Sequence, residues 1–402
     1  MRVLMFGWEF PPYFSGGLGT ACYGMTKALS KLSVDVTFVI PKFLGDVKAK
    51  YVKLISSVSI KGLKILGIGS PLLPYVSSAS YSSAVQYRYG NVMGGKMADM
   101  YGKDLFHDVL AYSKSARIIA QVEDFDVIHC HDWMTFQAGI EAKAVSGKKL
   151  IVQVHATEFD RTAGHPNQYI YDIEKAGMNA ADRIIAVSNL TKGIIVEKYG
   201  IPPEKVEVVH NAVEIGLHRH HEFVIEKKDR IVLFLGRITI QKGPEYFIYA
   251  AKKVLEKKKD VKFIMAGPGD MLPRMIELTA QLGISDKIFF TGGVKGPEVD
   301  RLYRMADVFV MPSVSEPFGI TPLESMIRDT PAIISRTSGV SEIVKHVLKV
   351  DFWDVNDLAN KILCVLNYDV LRHSLKEHGR MEIEGITWLG AAKKIVNIYC
   401  AV

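Results

Sequence analysis

Short apolar runs alternate with helix-length segments along most of the chain, a pattern typical of doubly wound parallel sheets. In the first half the runs predict strands at Val3–Phe6, Val36–Ile40, Val127–His129, Leu150–Val154, Ile184–Val187 and Val206–Val209. The second half repeats the pattern at Ile231–Leu235, Val261–Ala266, Ile288–Thr291, Val308–Met311 and Ala332–Ile334. We therefore expect an α/β protein with two Rossmann-like domains, each wound on its own parallel sheet.

A polar segment at 214–229 is the predicted linker between these domains. It separates a first domain, 1–213, from a second domain, 214–385. Residues 386–402 carry apolar positions at helical spacing, which predicts one more helix. No standard metal-ligand spacing is present among the linker histidines, which are His218, His220 and His221.

Two carboxylates, Glu316 and Glu324, stand eight positions apart in a loop that opens a helix. Thr321 and Glu324 match a Thr-x-x-Glu capping box, with Pro322 at the first helical position. The free N–H groups at such a helix start favour a bound phosphate. Taken alone, however, the two carboxylates are more often a cap and a loop acid.

Two cations, Arg237 and Lys242, follow the predicted strand Ile231–Leu235. They therefore lie at the carboxyl end of a strand, where open α/β sheets bind ligands. One such loop is usually solvated surface, but two fixed cations suit a diphosphate. Together with Glu316 and Glu324, they predict a nucleoside diphosphate site with one carboxylate near each of two sugars.

At this point the chain resembles the retaining glycosyltransferases of GT-B fold, the group that includes glycogen and starch synthases. The shared elements, in the family's order, are Gly16 to Gly19, His131 to Trp133, His155, Arg237, Lys242, Ala266 to Asp270, Glu316 and Glu324. The resemblance implies an active-site cleft between the two domains. It also implies that the helix at about 386–402 crosses back to the first domain.

The resemblance assigns roles residue by residue. The implied catalytic residues are Glu316, Arg237, Lys242 and His155. The implied donor-binding residues are Gly17, Gly267, Phe318, Gly319, Ile320, Thr321 and Glu324, the last holding ribose hydroxyls. Asp132 and Trp133 are implied on the acceptor side. By themselves, His155 fits a structural strand-end hydrogen bond equally well, and Trp133 fits a plain core residue equally well.

The implied activity is transfer of glucose from ADP- or UDP-glucose to the non-reducing end of an α-1,4-glucan, as in glycogen synthase. The alternative is a hexosyltransferase of the same fold acting on a small sugar, a sugar phosphate or a lipid-linked glycan. Phe14 stands where bacterial synthases carry a lysine, which leaves the donor base open. Two further alternatives, a nucleotide-sugar 2-epimerase and a non-catalytic binding protein, are disfavoured by the set of charged residues.

No cofactor and no metal are expected. Asp124-Phe125-Asp126 leads into a strand, so no Asp-x-Asp motif stands in a suitable place. Two cations and a helix dipole can replace a divalent ion at the diphosphate, which predicts metal independence. His129 and His131 share a strand face, yet two adjacent ligands without a third are a poor metal site.

The composition limits which classes of binding partner are expected. The chain has 402 residues, 48% of them hydrophobic, and a net charge of +7. This mild basic excess suits anionic nucleotides, and no basic stretch interleaved with aromatic residues predicts a nucleic-acid partner. The cysteines Cys22, Cys130, Cys364 and Cys400 lie far apart, as reduced cytoplasmic thiols do. No run approaches 18 apolar residues, so no integral membrane segment is expected, while peripheral contact with anionic membranes stays open.

Overall fold

The computed structural model describes residues 1–11, 16–42, 52–54, 63–69, 105–214 and 228–402. The strands are β1 Arg2–Phe6, β2 Asp35–Lys42, β3 Val52–Leu54, β4 Leu63–Gly69, β5 Val127–His131, β6 Lys149–Val154, β7 Arg183–Ala186, β8 Val206–Val208, β9 Arg230–Leu235, β10 Val261–Ala266, β11 Ile288–Gly292, β12 Val308–Met311, β13 Ala332–Ser335 and β14 Leu348–Val350. The helices are α1 Gly17–Lys31, α2 Leu105–Val122, α3 Trp133–Ser146, α4 Glu158–Arg161, α5 Gln168–Ala180, α6 Asn189–Tyr199, α7 Pro244–Lys257, α8 Leu272–Gln281, α9 Pro297–Met305, α10 Ile320–Met326, α11 Val355–Asn367, α12 Asp369–Ile383 and α13 Trp388–Cys400.

The strands form two sheets, which confirms the predicted α/β architecture of two Rossmann-like domains. The first has eight strands in the order β3-β4-β2-β1-β5-β6-β7-β8, and the second has six in the order β11-β10-β9-β12-β13-β14. All the described pairings are parallel except that of β3 with β4. In both sheets the chain reverses its winding direction beside the first strand, which is where such sheets bind ligands.

The central strands are largely buried because helices cover both faces of each sheet. All five residues of β5 are buried, for example, including His129 and His131. Each sheet therefore sits inside its own hydrophobic core. None of the helices in the described ranges is long and apolar enough to cross a membrane.

Helix α13 packs on the first domain, although it follows the whole second domain in the chain. Its buried face, from Trp388 to Tyr399, belongs to the hydrophobic core around β1 and β5. The Trp388 ring lies against Gly24 of α1, so closely that a Cβ at Gly24 would sit 2.3 Å from the indole nitrogen. The Tyr399 hydroxyl shares a 2.6 Å hydrogen bond with Nδ1 of His129.

The capping box expected at Thr321 and Glu324 is wrong. Helix α10 begins at Ile320, and its N-cap is Gly319, which has φ +97° and no side chain to act as a cap. The Thr321 hydroxyl instead contacts Sδ of Met311 at 3.7 Å. Pro322 consequently occupies the third helical position.

Several features from the sequence lie outside the described residues. These are Phe14, the linker histidines His218, His220 and His221, and most of the irregular stretch 45–115.

Candidate active site

The centre of the site is an ion pair between Lys242 and Glu316, which lie at the carboxyl ends of neighbouring strands β9 and β12. Glu316 is only 6% exposed, and its Oε2 also accepts a 3.1 Å hydrogen bond from the Ser313 hydroxyl. Because a buried carboxylate is costly without such partners, the pair is a specific feature of this site. The structure thus brings together a cation and a carboxylate that stand far apart in the sequence.

Glycines allow the close backbone packing of the loops around this ion pair. Gly267 has φ +139°, and a Cβ there would lie 2.0 Å from the carbonyl oxygen of Gly236. A Cβ at Gly243, with φ +62°, would lie 2.1 Å from the carbonyl oxygen of Pro312. The loops after β9, β10 and β12 therefore pack backbone against backbone, which only glycine permits.

Arg237 belongs to the same loop as Lys242. Its Nη2 has a long contact of 3.5 Å with Oε1 of Gln241, a buried side chain. The turn is closed by an amide of Ile238 that donates to the carbonyl of Pro268 at 2.8 Å. The loop therefore presents both cations from a backbone that is fixed by its neighbour.

Glu324 lies on the first turns of α10. Its Oε2 accepts a 3.0 Å hydrogen bond from the hydroxyl of Tyr303, a fully buried residue of α9. Burial raises the pKa of the Glu324 carboxyl, while Arg328 and the Tyr303 hydroxyl act in the opposite direction. The carboxylate is thereby held in one orientation beside the loop that carries Glu316.

The remaining predicted donor residues form the turn into α10. Phe318 is buried, and its carbonyl accepts a 2.7 Å hydrogen bond from the amide of Val340. Ile320 is partly buried and packs against hydrophobic clusters of both domains. This turn therefore lies where the two domains meet.

In the first domain, Asp132 organises the ends of β5 and β6. It adopts φ +59°, a left-handed backbone that is costly for a residue with a side chain. Its Oδ1 accepts a 2.7 Å hydrogen bond from the amide of His155 and a 3.3 Å one from Ala156. Trp133 is 6% exposed and packs in the domain core, with Phe106 as an aromatic neighbour.

Three histidines lie in a row beneath this edge. Nδ1 of His131 is 3.0 Å from Nε2 of His155, and the rings of His129 and His131 are 4.5 Å apart. Burial lowers the pKa of all three, that of His129 to about 3. They are therefore neutral imidazoles at physiological pH, and His155 is the partly exposed one.

The glycine-rich turn before α1 contains an internal anion. Glu9, 1% exposed, accepts a 2.8 Å hydrogen bond from the amide of Gly19. This carboxylate occupies the positive end of α1, so a phosphate that binds the Gly19 amide must displace it. Gly17 is exposed, and a Cβ there would contact none of the described residues, so packing alone does not require glycine.

The two domains meet directly beside the site. The Ser315 hydroxyl donates to Oδ1 of Asp160, which lies in the first domain. Glu342 of the second domain accepts 2.9 Å hydrogen bonds from the amides of Asn189 and Leu190, at the start of α6. Its carboxylate also lies 2.8 Å from Nε2 of His210. Lys242 and Glu316 therefore lie close to the first domain rather than on a remote surface.

Sequence reasoning missed several residues of this arrangement, namely Glu9, Ser313, Tyr303 and Glu342. Glu9 left a signal, since it is a lone acid in an otherwise apolar run. Glu342 and Tyr303 left none, because their partners lie in other elements and only the fold brings them together.

Comparison with known families agrees with this geometry. The family model described as glycosyltransferase family 4 matches residues 15–217, about half of the chain. The model described as glycosyl transferases group 1 matches residues 219–382. The chain therefore belongs to the glycosyltransferases of the family 4 model and is an enzyme of that class, and its second domain matches the group 1 model.

Individual relatives extend over most of the chain. A glycosyltransferase described as uncharacterized, from Methanocaldococcus jannaschii, is 29% identical over 99% of this chain and 98% of its own. A D-inositol 3-phosphate glycosyltransferase from Kribbella flavida is 26% identical over 83% of this chain and 86% of its own.

Solved structures confirm the GT-B fold. Sucrose-phosphate synthase from Thermosynechococcus elongatus superposes with a TM-score of 0.80 at 17% identity, covering 100% of this chain and 98% of its own. Anabaena HepE in complex with UDP and glucose superposes with a TM-score of 0.72 at 15% identity over the full length of both chains.

Proposed function

We propose that the protein transfers a hexosyl group from a nucleoside diphosphate sugar to a hydroxyl of a small phosphorylated acceptor, with retention at the anomeric carbon. The observation that carries the donor half is the ion pair of half-buried Lys242 with buried Glu316 beside Arg237, which combines cations for a diphosphate with a carboxylate for sugar hydroxyls. A structural neighbour in complex with UDP and glucose supports this donor class.

Lys242 has a double role in this proposal. A lysine ammonium has three donors, and one is directed at Glu316. The others stabilise the charge that develops on the departing diphosphate, the effect that usually contributes most to such catalysis. Glu316 in turn fixes the ammonium and accepts from hydroxyls of the transferred sugar.

The bond changes balance without an added nucleophile. The bond from C1 to the phosphate oxygen breaks, and its electron pair leaves with the nucleoside diphosphate. The acceptor oxygen attacks C1 on the same face, and its proton passes to the leaving phosphate oxygen. Retention is inferred from the family resemblance, and metal independence stays a prediction.

Two acceptor classes follow from different observations. Relatives named D-inositol 3-phosphate glycosyltransferases favour a small phosphorylated polyol or sugar. The burial of Trp133 agrees, since a core indole cannot stack on a glucan chain. The second candidate is an α-1,4-glucan, which the order of His131, Asp132 and Trp133 predicts through the glycogen synthase resemblance.

The rate of nucleoside diphosphate release tests both the donor and the acceptor of the proposed reaction. The assay pairs UDP-glucose, ADP-glucose and GDP-mannose with inositol phosphate, glucose 6-phosphate, maltooligosaccharides or glycogen, each with and without EDTA. We expect nucleoside diphosphate release from one donor to increase when a phosphorylated acceptor is added. EDTA should leave this release unchanged, and Lys242→Ala should lower it by roughly 10²–10³-fold. Stimulation only by glycogen establishes the glucan candidate instead, and loss of activity in EDTA contradicts metal independence. Absence of release from every donor overturns the proposal.

A further inference from the structure

Three potential metal ligands from separate elements converge beneath the edge of the first domain that faces the cleft. Cys22 lies on α1, His131 ends β5 and His155 follows β6. One ligand atom from each lies within 4.8 Å of the other two. The fold brings them together because β1, β5 and β6 are adjacent parallel strands and α1 follows β1.

The spacing fits one small cation. Zinc bonds to imidazole at about 2.0–2.1 Å and to thiolate at about 2.3 Å, so two nitrogens on one tetrahedral ion lie roughly 3.3 Å apart. Nδ1 of His131 and Nε2 of His155 are already 3.0 Å apart. Closing the longest side of the triangle requires Cys22, which is fully buried, to shift by about 1 Å.

His131 is incompletely hydrogen-bonded in this arrangement. Its Nδ1 faces His155, while its Nε2 is fully buried and has no hydrogen-bond partner among the described residues. Buried polar groups are normally paired, so the protein alone does not satisfy this imidazole.

Supporting contacts hold the ligands in place. Asp132 fixes the backbone of His155 through its 2.7 Å hydrogen bond, and Tyr399 holds the neighbouring ring of His129. These contacts fix the backbone of His155 and the ring beside His131 before an ion binds.

We infer that Cys22, His131 and His155 bind a single thiophilic divalent cation of the Zn²⁺ class, with a fourth position left for water. On binding, the thiol of Cys22 releases its proton to solvent and ligates as thiolate. The site is separate from the diphosphate cations, so it leaves the prediction of metal-independent transfer unchanged. If the proposed function holds, the ion draws His155 away from the donor sugar, and zinc inhibits the enzyme.

Cobalt provides a direct test on the full-length, untagged protein, stripped of metal and kept reduced without thiols. Titration with Co²⁺ is expected to give one equivalent of tetrahedral visible bands together with a near-ultraviolet thiolate-to-cobalt band, both abolished by zinc. Cys22→Ser should lose the thiolate band, and the matched control Cys364→Ser, in the second domain, should keep it. No thiolate band in the wild type, or an undiminished band in Cys22→Ser, overturns the inference.

A second measurement keeps the inference testable if the Cys22 variant does not fold. Zinc X-ray absorption of the wild type should show one sulfur and two imidazole nitrogens, and His131→Gln should weaken zinc binding by at least about tenfold. A first shell of nitrogen and oxygen alone overturns the inference, because it indicates adventitious binding such as at the linker histidines. Both readouts are independent of turnover, so an inactive enzyme that binds cobalt as expected contradicts only the proposed function.

Discussion

At the scale of single residues, the site depends on a few buried polar contacts that cross between loops. Lys242 is neutralised by Glu316 before any donor arrives, and Glu324 is held by Tyr303. Each carboxylate is therefore already oriented in the ligand-free protein. This preorganisation lowers the entropic cost of ordering these side chains when the donor binds.

Removal of the Lys242 ammonium should reduce turnover without unfolding the protein. We expect Lys242→Ala to lower kcat by roughly 10²–10³-fold, as loss of one preorganised electrostatic group typically does. Nucleoside diphosphate release gives kcat, and circular dichroism with thermal unfolding reports the fold. Lys253→Ala, an exposed lysine on α7, serves as the control.

The same variant leaves the buried Glu316 carboxylate without its cation, which can itself destabilise the loop. The double variant Lys242→Ala/Glu316→Gln separates the two effects, since it removes both charges. Turnover of Lys242→Ala close to the wild-type value would exclude this lysine from the site.

Glu324 should recognise the ribose of the donor. We expect the wild type to bind the nucleoside diphosphate about 10- to 100-fold more tightly than its 2′-deoxy analogue, because a hydrogen bond to a charged group contributes roughly 1.5–3 kcal/mol. Glu324→Gln should narrow this ratio, whereas Glu298→Gln, an exposed acid on α9, should preserve it. Calorimetric titration of both ligands measures it, and an unchanged ratio in Glu324→Gln would refute the ribose contact.

At the scale of elements, continuous apolar runs located the strands of the two described sheets except β3, β4 and β14. Edge strand β14 was missed because it has only three residues, two of which, Leu348 and Lys349, are partly exposed. The start of α10 was misplaced for a different reason. Thr321 and Glu324 have the spacing of a capping box, but tertiary partners, Met311 and Tyr303, compete successfully for their side chains.

The site could be predicted only in part from the sequence, because some of its contacts are tertiary. Strand ends and glycine turns placed Arg237, Lys242 and Glu316 at one edge, since carboxyl ends of parallel strands converge there. Pairings across domains, such as that of Glu342 with the start of α6, have no local signature. The cysteine of the triangle with His131 and His155 was equally hidden, because it lies on a helix remote in sequence.

The contact between α1 and α13 gives a prediction at this scale. Gly24→Ala should lower the free energy of unfolding by about 1–3 kcal/mol, because its new methyl group would overlap the Trp388 ring. Gly193→Ala, on α6, meets no described neighbour and should be neutral or stabilise by roughly 0.5–1 kcal/mol. Urea denaturation measures both.

A compensating substitution makes this test specific. Trp388→Phe provides space beside position 24, so the double variant Gly24→Ala/Trp388→Phe should recover part of the loss. Strictly additive losses would show that the two residues do not interact.

At the scale of the whole molecule, Glu342 links the domains. Burial alone would raise the pKa of this carboxyl, but hydrogen bonds from His210, from the amides of Asn189 and Leu190 and from the Asn189 side chain lower it below 4.5. The folded state therefore holds fewer protons on Glu342 than the unfolded state does. Its contribution to stability is present above pH 4.5 and is lost as the pH falls through the lowered value.

Protonation of Glu342 at low pH weakens its hydrogen bonds to the first domain, and Glu342→Gln removes the same negative charge at neutral pH. We therefore expect the two domains of this variant to be less closed than those of the wild type. Small-angle scattering should show a larger radius of gyration for this variant, and added nucleoside diphosphate should contract the wild type. Glu277→Gln on α8 is an exposed control in the same domain. Identical scattering of the wild type and Glu342→Gln, with and without nucleotide, would contradict a role in closure.

The packing of α13 also sets the order in which the protein matures on the ribosome. Trp388 and Tyr399 complete the core of the first domain, yet they are synthesised only after the whole second domain. At about 5–20 residues per second, this leaves the nascent first domain waiting on the order of ten seconds with an apolar groove uncovered. The second domain, which needs no such late segment for its central sheet, can fold first. Chaperone dependence during translation should accordingly be concentrated on the half of the enzyme that is made first.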